Sequence, residues 1–458
     1  MLDVERWVLN VAPGTAGFAS AGKPPSLGVM ASSAPRPLRP WILAALFAAA
    51  GLAARDLPTA PPEAVGLSAD RLQRIATAVQ ADIDQQRVAG AVTMVLRHGK
   101  VAWFDAQGAA DREAGKPMQR DSIFRICSMT KPITSAAVMM LYEQGKFLLE
   151  DPVSKYLPEF KNMRVLVKPA SGTPTTVPAS RDITILDLLR HTSGLTYNWN
   201  ADLGQQYNEA GVASGLVQYD GTIADSVRAL AKLPLLFNPG DRWEYSLSVD
   251  VLGRLVEVVS GEPLDVYLRT HLFTPLGMKD TYFFLPADKV PRLATAYTYF
   301  DGKGLQRFPD TPLHEGTLAY SADYPYRGPR KLFSGGAGLV STAEDYARFC
   351  QMMLNRGELD GVRVLSRKSV ELMTEDHLGA VKTGGDFGFG LGFGISGAQG
   401  ELSELGTPGE FSWGGFFYTS FSIDPKEDLI VIFMAQLHPT GGLNLDRKVH
   451  LLAYQALE

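Results

Sequence analysis

Ser128-Met129-Thr130-Lys131 sets a hydroxyl and an amine three residues apart, where an extended run from Ile123 to Cys127 gives way to an apolar helical pattern. Pro132 suits the first turn of that helix, and Gly145 suits its end. Residues i and i+3 share a helix face, with Cβ atoms about 5–6 Å apart. The chemistry on offer is nucleophilic. A lysine removed from water gives up its proton more readily and can take one from a neighbouring hydroxyl. Main-chain N–H groups at a helix start can face the oxyanion that develops on an attacked carbonyl.

That spacing is not specific by itself. Ser20-Ala21-Gly22-Lys23 repeats it in a Gly/Pro/Ala-rich stretch where no site could form. A helix cap beside a surface lysine would read the same way. A second station comes from Pro239 to Ser248, which runs straight into another helical pattern and carries Tyr245. A phenol near pKa 10 is a poor base at neutral pH, but an adjacent lysine charge lowers it. A Ser/Lys/Tyr cluster can therefore move the nucleophile's proton without histidine. The plain alternative for Tyr245 is a half-buried aromatic with its hydroxyl bonded to the backbone.

Four segments occur in order: Ser128–Lys131, His191-Thr192-Ser193-Gly194-Leu195, Trp243-Glu244-Tyr245-Ser246-Leu247-Ser248, and Gly335-Gly336-Ala337-Gly338-Leu339-Val340-Ser341-Thr342. Together they resemble the class C β-lactamase-like serine hydrolases, over residues 65 to 455. The resemblance implies Ser128 as nucleophile and Lys131 with Tyr245 as the proton-handling pair. His191 and Ser193 are expected to organise a turn below the site. The glycines at 335–338 are expected to allow close backbone approach.

The family's third motif is Lys-Thr-Gly on a strand lining the site. A literal copy, Lys382-Thr383-Gly384, precedes a glycine-rich stretch and reads as a decoy. Trp413-Gly414-Gly415 is expected at the motif position, on the first arm of the last hairpin. Tryptophan supplies apolar area and one N–H donor but no charge. Leu247 stands where lactamases usually carry asparagine. Both departures disfavour anionic, amide-bearing substrates and favour neutral esters, and the combination resembles the family VIII carboxylesterases. By that resemblance the N–H groups of Ser128 and Phe416 form the oxyanion hole, and Trp413, Gly414, Gly415 and Leu247 meet substrate. The pentapeptide Gly-x-Ser-x-Gly of ordinary esterases does not occur.

The elements that must position these residues follow from periodicity and turn signals. Ser68 begins a helix to Gln85 with Leu72, Ile75, Ala76 and Val79 on one face. Residues 91–96 and 101–104 form a hairpin. Helices are expected at 185–190, 223–233, 248–259 and from Asp446. Strands are expected at 388–395, 416–423 and 429–435. Residues 196–222 and 299–332 read as irregular. The fold class is α/β (α+β): a β-lactamase/penicillin-binding-like fold, with an antiparallel sheet flanked by helices and an inserted, mostly helical domain. The α/β domain comprises 56–135 and 330–458; residues 136–329 form the helical domain with active-site loops.

Residues 1–55 read as a leader. Arg36 and Arg39 precede the apolar run from Trp41 to Ala50, a secretory-signal pattern too short for a transmembrane helix. Met30 is an alternative start. Export to the periplasm or beyond is expected, with a cytoplasmic location if the leader is not a functional signal. A formal charge of −5 over 458 residues gives no sign of nucleic-acid binding. The two cysteines, Cys127 and Cys350, read as buried thiols. The seven histidines show no metal-ligand spacing, and no metal or organic cofactor is expected.

The expected activity is a serine carboxylesterase acting on short- to medium-chain esters, with a small-molecule ester as partner and no stable membrane span after processing. The alternative is a β-lactamase or D-amino-acid peptidase of the same fold, as a main or a side activity. A non-catalytic binding module would have no reason to keep all three polar positions.

Overall fold

The computed structural model describes residues 56–169, 172–300, 302–397 and 404–458. The leader and its apolar run lie outside the described residues. Eight strands form one antiparallel sheet: β1 (Gly90–Arg97), β2 (Lys100–Asp111), β3 (Lys116–Pro117), β4 (Phe387–Phe389), β5 (Gly394–Ser396), β6 (Phe411–Gly415), β7 (Thr419–Asp424) and β8 (Leu429–Met434). Their spatial order is β4-β5-β6-β7-β8-β1-β2-β3, so strands from both ends of the chain meet where β8 pairs with β1. Val92 lies opposite Met434 and Arg97 opposite Leu429.

Alternation sorts the strand side chains between two apolar layers. Ala91, Val95, Val431 and Phe433 face helices α1 (Ala69–Asp84) and α5 (Leu445–Tyr454), where Leu72, Ile75, Val79 and Val449 cover them. Val92, Met94, Leu96, Ile430 and Ile432 face the other way, against α2 (Thr130–Glu143) and α4 (Ala343–Leu354). Burial on both faces explains why β1 and β8 are apolar at nearly every position.

Several boundaries differ from those expected. Gly388–Ile395 is two strands, because Gly390–Phe393 makes the turn between β4 and β5. The strand expected at Phe416–Ile423 begins at Thr419. Trp413-Gly414-Gly415 belongs to a strand of its own, β6, and Phe416-Phe417-Tyr418 is the turn into β7. That turn reads as strand because it is apolar, yet Phe417 and Tyr418 are buried as loop residues, with Tyr418 at φ 69°. Residues 196–222 contain a helix, Gly204–Glu209. Residues 299–332 are largely hairpins: Tyr297–Phe300 with Gly304–Arg307, and Leu313–Glu315 with Leu318–Tyr320. Cys127 and Cys350 are both free and buried.

Candidate active site

A two-residue ladder sets the serine in place. Phe124–Arg125 pairs with Val340–Ser341, and the Ile126 N–H donates to the Leu339 carbonyl at 3.1 Å. Cys127 then takes φ 42°, a left-handed turn that non-glycine residues rarely adopt. Residues 127–129 form one 3-10 turn that continues into α2. Ser128 therefore sits just ahead of the α-helix, half-buried, whereas Lys131 is 1% exposed. Thr134 Oγ1 donates to the Gly335 carbonyl at 2.8 Å, and the Leu339 N–H donates to Thr130 Oγ1 at 3.1 Å. These bonds dock the first turns of α2 on the glycine-rich segment.

Lys131 Nζ lies 3.2 Å from Ser128 Oγ, 2.8 Å from the Tyr197 hydroxyl and 2.8 Å from the Gly336 carbonyl oxygen. Three partners match the three donors of an ammonium. They also fit a neutral amine. The Gly336 carbonyl can only accept, so it takes one N–H; Tyr197 accepts the second; the lone pair is then left for the Ser128 hydroxyl proton. The cage holds either form without rearranging.

Burial of Lys131 pushes its pKa down to about 7, although the charge of Asp250 pulls it back up. Tyr245 moves the other way. Burial lifts its pKa above 10, and hydrogen bonds with Ser128 and Trp413 offset this only in part. The expectation that lysine charge would lower the phenol is thereby corrected: its dominant influence is desolvation. Lys131 is the group nearer to losing a proton at neutral pH, and Tyr245 stays a phenol. The Tyr245 ring lies under Lys131 Nζ, 4.4 Å from its centroid.

The segment carrying Tyr245 is tied through the main chain to the segment from His191 to Thr196. The Glu244 N–H donates to the His191 carbonyl at 2.9 Å, and the Leu247 N–H to the Thr196 carbonyl at 3.2 Å. Below them runs a polar chain. His191 Nδ1 is bonded to Ser246 Oγ at 3.0 Å, Ser246 Oγ to Ser248 Oγ at 2.7 Å, and Ser248 Oγ to Ser193 Oγ at 2.8 Å. Burial, with Lys131 nearby, holds His191 well below its usual pKa, hence neutral. Leu247 is a core residue, 1% exposed.

The glycines are placed where side chains would collide. A Cβ at Gly335 would lie 2.7 Å from the Val249 carbonyl oxygen, and one at Gly338 would lie 2.8 Å from the Phe283 ring. On β6, a Cβ at Gly415 would overlap the carbonyl oxygen of Ile126, two residues before Ser128. Phe416 follows directly, its ring centroid 3.7 Å from that of His438 with the planes tilted by 31°. Trp413 is buried, with its indole N–H donating to the Tyr245 hydroxyl at 3.2 Å. Lys382, by contrast, is exposed in the loop before the edge strand β4.

Two residues here were not singled out as site residues from the sequence. Tyr197 had been noted only as one aromatic of a long loop; it is buried and stacked on Trp199, with ring centroids 4.1 Å apart. Its position two residues after His191–Leu195 was the available signal. Asp250, in the first turn of α3 (Ser248–Ser260), is 6% exposed and accepts from Ser334 Oγ at 2.6 Å. Nothing in its sequence context marks it.

Comparison with known proteins agrees with this architecture. The beta-lactamase family matches residues 75–455. Protein Rv1367c of Mycobacterium tuberculosis is 38% identical over 370 residues, covering 78% of this chain and 88% of that one. Esterase EstB of Burkholderia gladioli is 34% identical over 385 residues, covering 81% and 92%. The solved structure of EstCE1, a hydrolase with promiscuous acyltransferase activity, has a TM-score of 0.73 at 29% identity and covers 85% of this chain and 98% of its own. A match across nearly all the described residues, with the sheet and motif order expected of it, leaves one assignment: the chain belongs to the beta-lactamase family and is an esterase-related hydrolase within it.

Proposed function

We propose that the chain is a serine carboxylesterase that hydrolyses short- to medium-chain esters through an acyl-enzyme on Ser128. The observation that carries this reading is the 3.2 Å contact between Ser128 Oγ and a buried Lys131 Nζ whose other two partners leave a lone pair for the serine. Ser128 Oγ attacks the ester carbonyl carbon and its proton passes to Lys131. The carbonyl π electrons move to oxygen, which the N–H groups of Ser128 and Phe416 receive. When the intermediate collapses, the C–O bond to the alcohol breaks and the departing oxygen takes a proton from Tyr245, which Lys131 then restores. Water repeats the sequence on the acyl-enzyme and returns Ser128 with its proton.

Trp413, Gly414 and Gly415 border the substrate in this reading; Leu247, expected to meet substrate as well, is instead packed in the core and presents no surface to it. Trp413 offers area and one N–H, already given to Tyr245, and no charge for a carboxylate. That favours neutral esters over β-lactams or peptides. The esterase named among the relatives supports the same substrate class. The leader at 1–55, with its basic residues ahead of a short apolar run, supports export. Among the described residues no helix is long and apolar enough to cross a membrane.

The test is turnover of p-nitrophenyl butyrate beside a chromogenic cephalosporin by the full chain, with Ser128→Ala as the blank. Fast ester turnover lost in Ser128→Ala, with a fluorophosphonate adduct mapped to Ser128, is expected. Near-normal ester turnover in Ser128→Ala would end this mechanism. Faster lactam than ester turnover would move the assignment to a β-lactamase.

A further inference from the structure

The carbonyl that aims Lys131 is itself held by a buried acid. Gly336 accepts from Lys131 through its carbonyl, while its N–H donates to Asp250 Oδ1 at 3.4 Å. The same oxygen accepts from Ser334 Oγ at 2.6 Å, and Ser334 Oγ accepts from the Ala337 N–H at 3.1 Å. Asp250 thus clamps the 334–337 turn from beneath. Its other oxygen, Oδ2, is buried without a hydrogen-bond partner. A Cβ placed on Gly336 would overlap Oδ2 and lie 3.4 Å from the Tyr197 hydroxyl. Oδ2 therefore borders the small space shared by Gly336 and Tyr197, both of which touch Lys131.

The groups facing Lys131 come from every surrounding element. Cys127 approaches from the 3-10 turn, His191 and Tyr197 from the segment after residue 190, Tyr245 from the second motif, and Asp250 from α3. Burial keeps the thiol and both phenols protonated, and keeps His191 neutral. Asp250 is the carboxylate of the set. Burial raises its pKa, and Ser334 and Lys131 oppose that rise. Between two buried groups, one opposite charge acts on a lysine with less screening than at the surface.

We propose that Asp250 is a positioning residue for acyl transfer: it fixes the Gly336 carbonyl that aims Lys131, and its charge stabilises the ammonium formed when Ser128 gives up its proton. This rests on Lys131 being the base. Asp250→Asn keeps an oxygen for Ser334 and for the Gly336 N–H but removes the charge. Ser334→Ala removes the 2.6 Å bond and keeps the charge.

The experiment is the pH profile of ester kcat/KM for the full chain and both variants, with thermal melting to confirm folding. Losing an opposite charge lowers a lysine pKa by about one to three units. Asp250→Asn should therefore move the acid limb down by about one unit or more. Its plateau kcat should fall about tenfold or more, because proton transfer to Lys131 becomes less favourable. KM should stay within a few-fold, and Ser334→Ala should leave the limb in place. Asp250→Ser repeats the measurement if Asp250→Asn does not fold. A limb that Asp250→Asn leaves unmoved, or one that Ser334→Ala moves equally, overturns the role given to the charge. A wild-type profile with no acid limb overturns Lys131 as base, a separate failure.

Discussion

The Trp413 indole N–H donates to the Tyr245 hydroxyl across 3.2 Å, joining the third-motif strand to the second motif by one hydrogen bond. A phenol oxygen that accepts from an indole can still turn its own proton elsewhere. Tyr245 is also hydrogen-bonded with Ser128. Trp413 thus fixes which way Tyr245 presents its proton. Trp413→Phe keeps most of the ring area and removes the donor. A neutral hydrogen bond contributes about 0.5–1.5 kcal/mol, so kcat on p-nitrophenyl butyrate should fall about two- to thirteenfold. KM should change less. A variant whose loss lay wholly in KM would make Trp413 a binding wall and nothing more.

The pH dependence follows from Lys131. In the proposed mechanism its amine must be neutral to take the serine proton, and burial pushes its pKa down to about 7. Below that value the protonated fraction rises, so kcat/KM should drop about tenfold per pH unit and level off above it. Tyr245→Phe should keep this limb and lower the plateau by about 10²-fold or more. Lys131→Arg should be inactive throughout, because guanidinium does not deprotonate in proteins. Steady-state rates from about pH 5 to about pH 9 check all three. An acid limb that survives in a partly active Lys131→Arg would assign it to another group.

Much of this was legible because chemistry and periodicity coincide at the motifs. Ser128 and Lys131 fall where an extended run meets a long apolar helix, and Tyr245 falls just before another. The sheet was visible in Met94–Leu96 and in Leu429–Met434, where burial on two faces leaves continuous apolar runs. The strand that carries Trp413 was misplaced. Phe-Ser-Trp-Gly-Gly has no β-branched residue, and the aromatic turn after it imitates a strand. Tyr197 and Asp250 were missed for a different reason. Their positions relative to Lys131 come from tertiary packing of α3 and a loop, which leaves no local pattern in the chain.

His450 on α5 pairs with Glu410, the residue before β6, through a 2.7 Å contact. Burial alone would lower the histidine pKa, but the hydrogen bond and charge of Glu410 outweigh it and raise the value above 6.5. A histidine with a raised folded-state pKa stabilises fully below its unfolded value, and that contribution is lost as pH rises through the folded one. The melting-temperature difference between the wild type and His450→Gln should therefore be largest below about pH 6.5 and shrink above it. A difference that grows with pH would mean the pair does not hold a proton in the fold.

Gly415 and Gly414 are neighbours on β6 with opposite expectations. A Cβ on Gly415 would overlap the Ile126 carbonyl oxygen and the Thr419 hydroxyl, so β6 must move away from the segment carrying Ser128. In the proposed mechanism the N–H groups of Ser128 and Phe416 receive the oxyanion, and displacing β6 would separate them. Losing one such donor costs about 10²–10³ in kcat, so Gly415→Ala should lose about that much, with KM changed far less. On Gly414 a Cβ would meet only the Thr419 carbonyl oxygen, at 3.3 Å, a contact that a small shift relieves. Gly414→Ala should stay within about tenfold of wild type, since no oxyanion donor moves. Equal losses in the two variants would show that strand flexibility, rather than the place of the Phe416 N–H, controls the rate.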